Sequence, residues 1–111
     1  MITGAHVMIF TADDAADRAF LRDVFELPHI DSGGGWLIFK LPPAEMGVHE
    51  GPNDMHQVYF MCDDLDAFLA AMAERGAATT APAQQGWGRS TRVTLPGGGT
   101  IGVYEPRHAR P

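Results

Sequence analysis

The sequence has little cysteine, little positive charge and no long apolar run. A single cysteine, Cys62, excludes an internal disulfide and predicts a reducing compartment. Eight basic and fourteen acidic residues give a net charge of −6, which argues against nucleic-acid binding because phosphates would meet no basic patch. Because we recognise neither a signal peptide nor a run of about 18 apolar residues, we expect a soluble, cytoplasmic protein with no membrane partner.

The sequence does contain enough apolar material for a folded domain. Of its 111 residues, 45% are hydrophobic and 20% are charged. This balance argues against disorder and predicts a buried core. We therefore expect a single domain over residues 1–111.

A short pattern recurs along the chain at an offset of 50 residues. In each copy, an apolar run that contains a histidine predicts a strand, and an acidic pair then predicts a helix start, where carboxylates cap free backbone N–H groups. The matching residues are His6, Phe10, Asp13 and Asp14 in the first copy and His56, Phe60, Asp63 and Asp64 in the second. The repeat predicts two similar modules, at about 1–51 and about 52–111.

Each module is predicted to have the order β-α-β-β-β. The first has a predicted strand at 4–11, a helix from Asp13 to about Glu26, and strands near 29–32, 36–41 and 45–50. The second has a predicted strand at 55–62, a helix that ends at Arg75 and Gly76, a short strand at 77–81, a loop at 82–88, and strands at 89–95 and 100–105. Each sheet leaves one face for its helix and the other for the partner module. We predict an α+β fold of two tandem βαβββ modules whose curved mixed sheets pair to form a cleft.

The order and spacing of these features resemble the vicinal oxygen chelate superfamily, which includes glyoxalase I, extradiol dioxygenases and bleomycin resistance proteins. The resemblance depends on the strand-opening histidine, Cys-Asp-Asp-Leu-Asp at 62–66, Arg-Gly-Ala after the helix, Gly-Trp-Gly at 86–88, and Leu-Pro-Gly-Gly followed by Val-Tyr-Glu-Pro near the end. It implies a small-molecule ligand. For a chain with only two modules, it also implies a homodimer.

The resemblance further implies a divalent metal, such as Zn, Fe, Mn or Ni, on the floor of the cleft. Enzymes of the superfamily use this metal as a Lewis acid toward two substrate oxygens. When the superfamily's ligand positions are transferred to this sequence, they fall on His6 and Gln57, and His49 is a further candidate. The usual glutamate falls on Gly102, so Glu105 would supply the last ligand only through a bulge or a register shift.

The repeat and the resemblance disagree about the second module, since the repeat pairs His6 with His56 and the resemblance pairs it with Gln57. Adjacent residues of a strand point to opposite faces, so only one of the two faces the cleft unless a bulge intervenes. We favour Gln57, because alternate residues from Val58 to Cys62 then form an apolar face toward the helix.

Strand alternation also predicts an aromatic lining for the cleft. The residues expected to face inward are Met8, Phe10, Tyr59, Met61 and Tyr104, with Trp36 and Trp87 near the rims. Arg92 alternates with Val93 and is a candidate to bind a ligand carboxylate or phosphate, the alternative being a surface salt bridge. Tyr59 and Tyr104 are the candidate acid–base or orienting groups.

Two functions of different classes follow. The first is a metal-dependent lyase, isomerase or dioxygenase with an incomplete metal site, favoured by His6 and His49. The second is a metal-free protein that sequesters a small molecule, as bleomycin resistance proteins do, favoured by the missing glutamate. The sequence leaves open whether the protein is an enzyme.

Overall fold

The computed structural model describes residues 1 and 3–111, and this part of the chain contains two helices and six strands. In chain order the elements are α1 (Asp14–Asp23), β1 (His29–Asp31), β2 (Leu37–Phe39), β3 (Tyr59–Met61), α2 (Leu65–Glu74), β4 (Ala83–Gln85), β5 (Gly88–Thr94) and β6 (Thr100–Pro106). Neither of these two helices is long and apolar enough to cross a membrane.

Both helices begin where the acidic pairs predict. Asp13 and Asp64 each accept a hydrogen bond through Oδ1 from the backbone N–H three residues later, at 3.0 and 3.1 Å. These bonds satisfy one free N–H in each first turn. Helix α2 ends as predicted, with Gly76 in the left-handed region at a φ of 74°. Helix α1 ends at Asp23, earlier than predicted.

The two helices correspond at an offset of 51 residues, one more than the sequence repeat. Each helix has ten residues, and each is capped by the aspartate directly before it, Asp13 or Asp64. The helices therefore match His6 with Gln57 and not with His56. Each module has two adjacent aspartates, so either aspartate can be aligned with the helix start. The sequence alone therefore does not distinguish an offset of 50 residues from one of 51.

The second module forms a complete βαβββ unit. Its four-stranded sheet has the order β3-β6-β5-β4, with β3 parallel to β6 and the other pairs antiparallel. The predicted short strand at 77–81 is reduced to a single bridge between Thr79 and Val93, and β4 forms instead within the predicted loop at 82–88. The buried hydrophobic residues are Leu65, Met72, Val93, Leu95, Ile101, Val103 and Tyr104. The core of the described chain thus lies in this module.

The first module is less complete. Strands β1 and β2 form an antiparallel pair, but the predicted strands at 4–11 and 45–50 have no ladder partner in the described chain. Their apolar side chains face solvent, with Phe10, Met46 and Val48 at least 90% exposed. A strand is stable only when a neighbour takes up its backbone hydrogen bonds, and neither segment has one. Both strand predictions are wrong for the single chain.

The two modules meet at a buried carboxylate and a cluster of aromatic rings. Asp17 of α1 is only 5% exposed, and its Oδ1 accepts a hydrogen bond of 2.7 Å from the N–H of Gly97, in the turn between β5 and β6. Phe25, just after α1, packs edge-on against Phe60 and Phe68 of the second module. These contacts fix the first helix against the second sheet.

We predict that Gly97→Ala destabilises the protein by about 1–3 kcal/mol, a typical cost of overpacking a filled site. An added Cβ would overlap Thr11 Oγ1 and lie 3.1 Å from both carboxylate oxygens of Asp17. The measurement is the midpoint of urea unfolding. Gly99→Ala is the matched control in the same turn, since nothing lies within 4 Å of its added Cβ. Equal midpoints for the two variants would contradict the assigned junction.

Candidate small-molecule site

The four-stranded sheet has two different faces. On one face Arg89 and Glu105 are register partners, and Arg89 contacts Asp66 of α2 at 3.1 Å. On the opposite face Arg92 lies beside Gly102. We call this second surface the open face. It also carries Tyr59, Met61 and Tyr104, because Tyr59 is the register partner of Gly102, and Met61 that of Tyr104.

Glu105 lies on the helix face, away from Gly102. Its Oε2 accepts a hydrogen bond of 3.1 Å from the backbone N–H of Leu65, the first residue of α2, and lies 3.9 Å from Arg89 Nη1. The carboxylate thus satisfies a free N–H at the helix start. Metal ligation by Glu105 would require both contacts to break.

Three aromatic rings pack together on and beside the open face. Tyr59, Trp87 and Tyr104 have ring centroids 4.9 to 5.9 Å apart and lie nearly perpendicular to one another. Trp87 enters from the turn between β4 and β5. Edge-to-face contact is a favoured geometry for aromatic pairs, so the three rings stabilise one another. We call these three residues the aromatic cluster.

The ring of Tyr59 lies directly on Gly102. A Cβ at residue 102 would overlap that ring, so only glycine fits beneath it. Residue 102 is also the position at which the family resemblance expects a metal-binding glutamate. In this chain the space for such a side chain is filled by a tyrosine.

The hydroxyl of Tyr104 is bound within the protein. Tyr104 is 8% exposed, and its Oη is hydrogen-bonded to His108 Nε2 at 2.8 Å. The same Nε2 lies 3.4 Å from Glu45 Oε1 of the first module. Burial, and then the negative charge of Glu45, raise the pKa of Tyr104. The raised pKa keeps the phenol protonated at neutral pH, and its role as an acid–base or orienting group stays a prediction.

His108 and Glu45 were not predicted as site residues. They lie outside the strands and more than sixty positions apart, and no periodicity connects them. Thr100, which accepts hydrogen bonds from Arg92, was not predicted as a site residue either. The sequence nevertheless contains a pattern that could have identified it. The Pro-Gly-Gly-Gly turn sets the register of the β5–β6 hairpin, and that register makes Thr100 a diagonal neighbour of Arg92.

Arg92 is held in place by three hydrogen bonds. Its Nε donates to Thr100 Oγ1 at 2.8 Å, its Nη2 to Thr100 O at 3.4 Å and its Nη1 to the Tyr59 hydroxyl at 3.3 Å. The guanidinium carbon lies 5.5 Å from the centroid of the Tyr59 ring, within range of a cation–π contact. Among residues 1 and 3–111, no carboxylate forms an ion pair with it.

The remaining predicted metal ligands lie at the surface. His6, His49 and Gln57 are exposed, as is His56, and His49 Nδ1 is 2.7 Å from the carbonyl oxygen of Glu50. Within the described chain, no three His, Cys, Asp or Glu residues are grouped closely enough to hold a metal ion. Zinc-like metals need three or four strong ligands. The donors that one chain brings together do not fit such a site.

The other predicted site residues divide into two groups. Met61, Trp87 and Arg92 lie with Tyr59 and Tyr104 at the open face. Phe10 is 90% exposed in the unpaired first segment. Trp36 lies in the turn between β1 and β2, with the guanidinium of Arg18 at 5.4 Å from its ring. Their proposed contact with a ligand stays a prediction.

The single cysteine has the properties of a packing residue. Cys62 is part-buried directly after β3. Burial raises the pKa of its thiol, and the nearby carboxylates of Glu105, Asp63 and Asp64 raise it further. Because the thiolate is the nucleophilic form, this environment lowers the reactivity of the thiol.

No family model matches the chain, and no curated protein matches it. Solved structures do resemble it. One is an antibiotic binding protein from Streptomyces sp. CB03234, at 23% identity and a TM-score of 0.67, covering 96% of this chain and 99% of that chain. A lactoylglutathione lyase from Agrobacterium tumefaciens is 20% identical, with a TM-score of 0.67 and coverage of 93% of this chain and 92% of that chain.

A third similar structure is a member of the glyoxalase/bleomycin resistance protein/dioxygenase superfamily from Sphaerobacter thermophilus. It is 20% identical, with a TM-score of 0.66, and covers 94% of this chain and 98% of that chain. These similarities extend over nearly the whole chain, and at such identities they establish the fold alone. The protein has the glyoxalase/bleomycin resistance/dioxygenase fold, which is the vicinal oxygen chelate fold, and the predicted α+β class is confirmed.

We predict that Gly102→Ala displaces the Tyr59 ring and disperses the aromatic cluster. The near-ultraviolet circular dichroism of the coupled rings should fall markedly, and the protein should lose about 1–3 kcal/mol of stability because the new methyl group enters filled space. Gly86→Ala is the control, since nothing lies within 4 Å of its added Cβ. An unchanged aromatic spectrum in Gly102→Ala would contradict the placement of Tyr59.

Proposed function

We propose that this protein binds and sequesters an aromatic small molecule on the open face, without a metal. The observation that carries the proposal is the Tyr59 ring on Gly102. A superfamily enzyme would use this position for a carboxylate ligand, whereas here it supports an aromatic ring. At this position Tyr59 and Gly102 form a surface suited to a planar apolar molecule.

The chemistry of the open face supports the same proposal. Tyr59 and Trp87 are 37% and 39% exposed, so both rings retain area that a ligand can cover. Tyrosine and tryptophan supply large apolar contact together with a polar group that finds a partner. Tyr104 supports both rings from below, with its own hydroxyl bound to His108. The similarity to an antibiotic binding protein is compatible with this function.

We also propose that the working protein is a homodimer. The chain exposes 8047 Å² of surface, whereas a folded monomer of 12.0 kDa exposes about 6,000 Å². The excess, roughly 2,000 Å², is the area that one subunit commonly buries in an obligate homodimer. The radius of gyration, 14.7 Å, likewise exceeds the value of about 13 Å for a compact chain of this length.

The unpaired segments of the first module are the surface proposed for this contact. Residues 4–11 and 45–50 combine strand-forming sequence with exposed apolar side chains. A second copy would supply the missing backbone partners and cover those side chains.

The binding proposal is tested with 2-naphthamide, a neutral planar probe, by isothermal titration calorimetry. We expect the wild-type protein to bind it and Trp87→Ala to bind about tenfold more weakly, because a stacking partner and its apolar area are lost. Ile30→Ala is the control, since Ile30 is an exposed apolar residue of β1 in the other sheet. Equal affinities of Trp87→Ala and the wild type would contradict the site.

Elemental analysis of protein purified without chelator or affinity-tag metal completes this test. The binding proposal expects far less than one divalent ion per chain. A stoichiometric ion that is lost in His6→Ala would contradict it and would favour the metal-dependent enzyme, with His6, His49 and Gln57 then joined by ligands of a second subunit.

For the dimer, we expect sedimentation equilibrium at micromolar concentration to give twice the chain mass of 12.0 kDa. Val48→Asp should weaken association at least a hundredfold, because it buries an unpaired charge in the contact. Ala70→Asp is the control, as it introduces the same charge on the exposed side of α2. A wild-type protein that sediments as a monomer would overturn the dimer proposal.

A further inference from the structure

The two arginines of β5 have opposite surroundings. Arg89 faces the helix and is neutralised by Asp66 at 3.1 Å and by Glu105 at 3.9 Å. Arg92 lies on the open face. No carboxylate of the described chain forms an ion pair with it, although the protein carries a net charge of −6. An unpaired guanidinium on the ligand-binding face of an acidic protein needs an explanation.

The hydrogen bonds of Arg92 leave a defined part of the guanidinium free. The group carries five N–H donors in a plane. Thr100 accepts from Nε and Nη2, and the Tyr59 hydroxyl accepts from Nη1. Two N–H groups remain, one on each terminal nitrogen. The two terminal nitrogens of a guanidinium can together bind both oxygens of a carboxylate.

The free N–H groups are also held ready for a ligand. Thr100 and Tyr59 hold the guanidinium through hydrogen bonds, and its carbon lies 5.5 Å from the centroid of the Tyr59 ring. A long, flexible arginine side chain otherwise loses much conformational entropy when it is ordered on binding. Here the Arg92 side chain is already ordered in the free protein. Binding of an anion therefore costs less conformational entropy, and each hydrogen bond contributes more to the affinity.

Tyr59 connects this cation to the aromatic cluster. Its ring contacts Trp87 and Tyr104, and its hydroxyl accepts a hydrogen bond from Arg92. A molecule whose ring covers Tyr59 and Trp87 therefore lies next to the free edge of Arg92. We infer that the ligand of the open face is an aromatic carboxylate, with its ring on the aromatic cluster and its two oxygens on Arg92.

This inference rests on the proposed function, and it adds the charge and shape of the ligand. A carboxylate fits better than a phosphate, because one guanidinium with two free N–H groups compensates one negative charge and two oxygens. A phosphate dianion would bring a third oxygen and a second charge toward an acidic protein.

The test compares 2-naphthoate with 2-naphthamide, which has the same ring and nearly the same shape but no charge. We expect the wild-type protein to bind the carboxylate at least about tenfold more tightly, as charge-assisted hydrogen bonds exceed neutral ones by that order. Arg92→Gln should remove this preference, because the carboxylate loses its charged partner. Arg92→Lys should restore only part of it, since an ammonium keeps the charge but lacks the fork.

Arg22→Gln is the matched control. It lowers the net charge by the same amount, but Arg22 is paired with Asp23 on the surface of α1. The preference for 2-naphthoate should be unchanged in this variant. A preference that falls equally in Arg22→Gln and Arg92→Gln would show a general charge effect and would overturn the inference.

The outcomes separate this inference from the proposed function. If the wild-type protein binds both probes equally well, the carboxylate assignment is wrong and the aromatic site stands. If neither probe binds, both proposals are overturned. If 2-naphthyl phosphate binds more tightly than 2-naphthoate and Arg92→Gln removes that binding, the anion is a phosphate and the carboxylate assignment is overturned.

Discussion

The whole structure depends on the need of each strand for a hydrogen-bonded neighbour. The second module meets this need within itself, through the ladder that joins β3, β6, β5 and β4, and it therefore holds the buried core. Among the residues that the structure describes, the first module meets it only between β1 and β2. The two modules are similar in sequence but differ in how many of their strands are paired. This difference accounts for the exposed apolar segments and the enlarged surface, and it motivates the proposed second subunit.

The register of that ladder also creates the proposed binding surface. Gly102 lies between Tyr59 and Arg92 as the register partner of both. Because glycine has no side chain, the tyrosine ring settles on it and comes within reach of the arginine and of Trp87. One small residue in the middle strand thus allows an aromatic surface and a fixed cation to lie side by side.

Local chemistry in the sequence predicted local structure well. Asp13 and Asp64 marked the helix starts, and alternation placed Tyr59, Met61 and Tyr104 on one face. These local patterns did not predict structure where a residue's conformation or contacts depend on a partner far away in the sequence. The segment 4–11 has a strand-like sequence but finds no neighbour, and the contact of His108 with Glu45 joins loops that no periodicity relates.

The close fit of Tyr59 on Gly102 makes the two positions interdependent. A glutamate introduced at residue 102 would collide with the ring, while a smaller residue at 59 would leave bare backbone with no ligand atom. Either change alone loses the aromatic surface without creating a metal site. The two residues therefore constrain each other's replacement, because a larger residue at position 102 fits only if position 59 also changes.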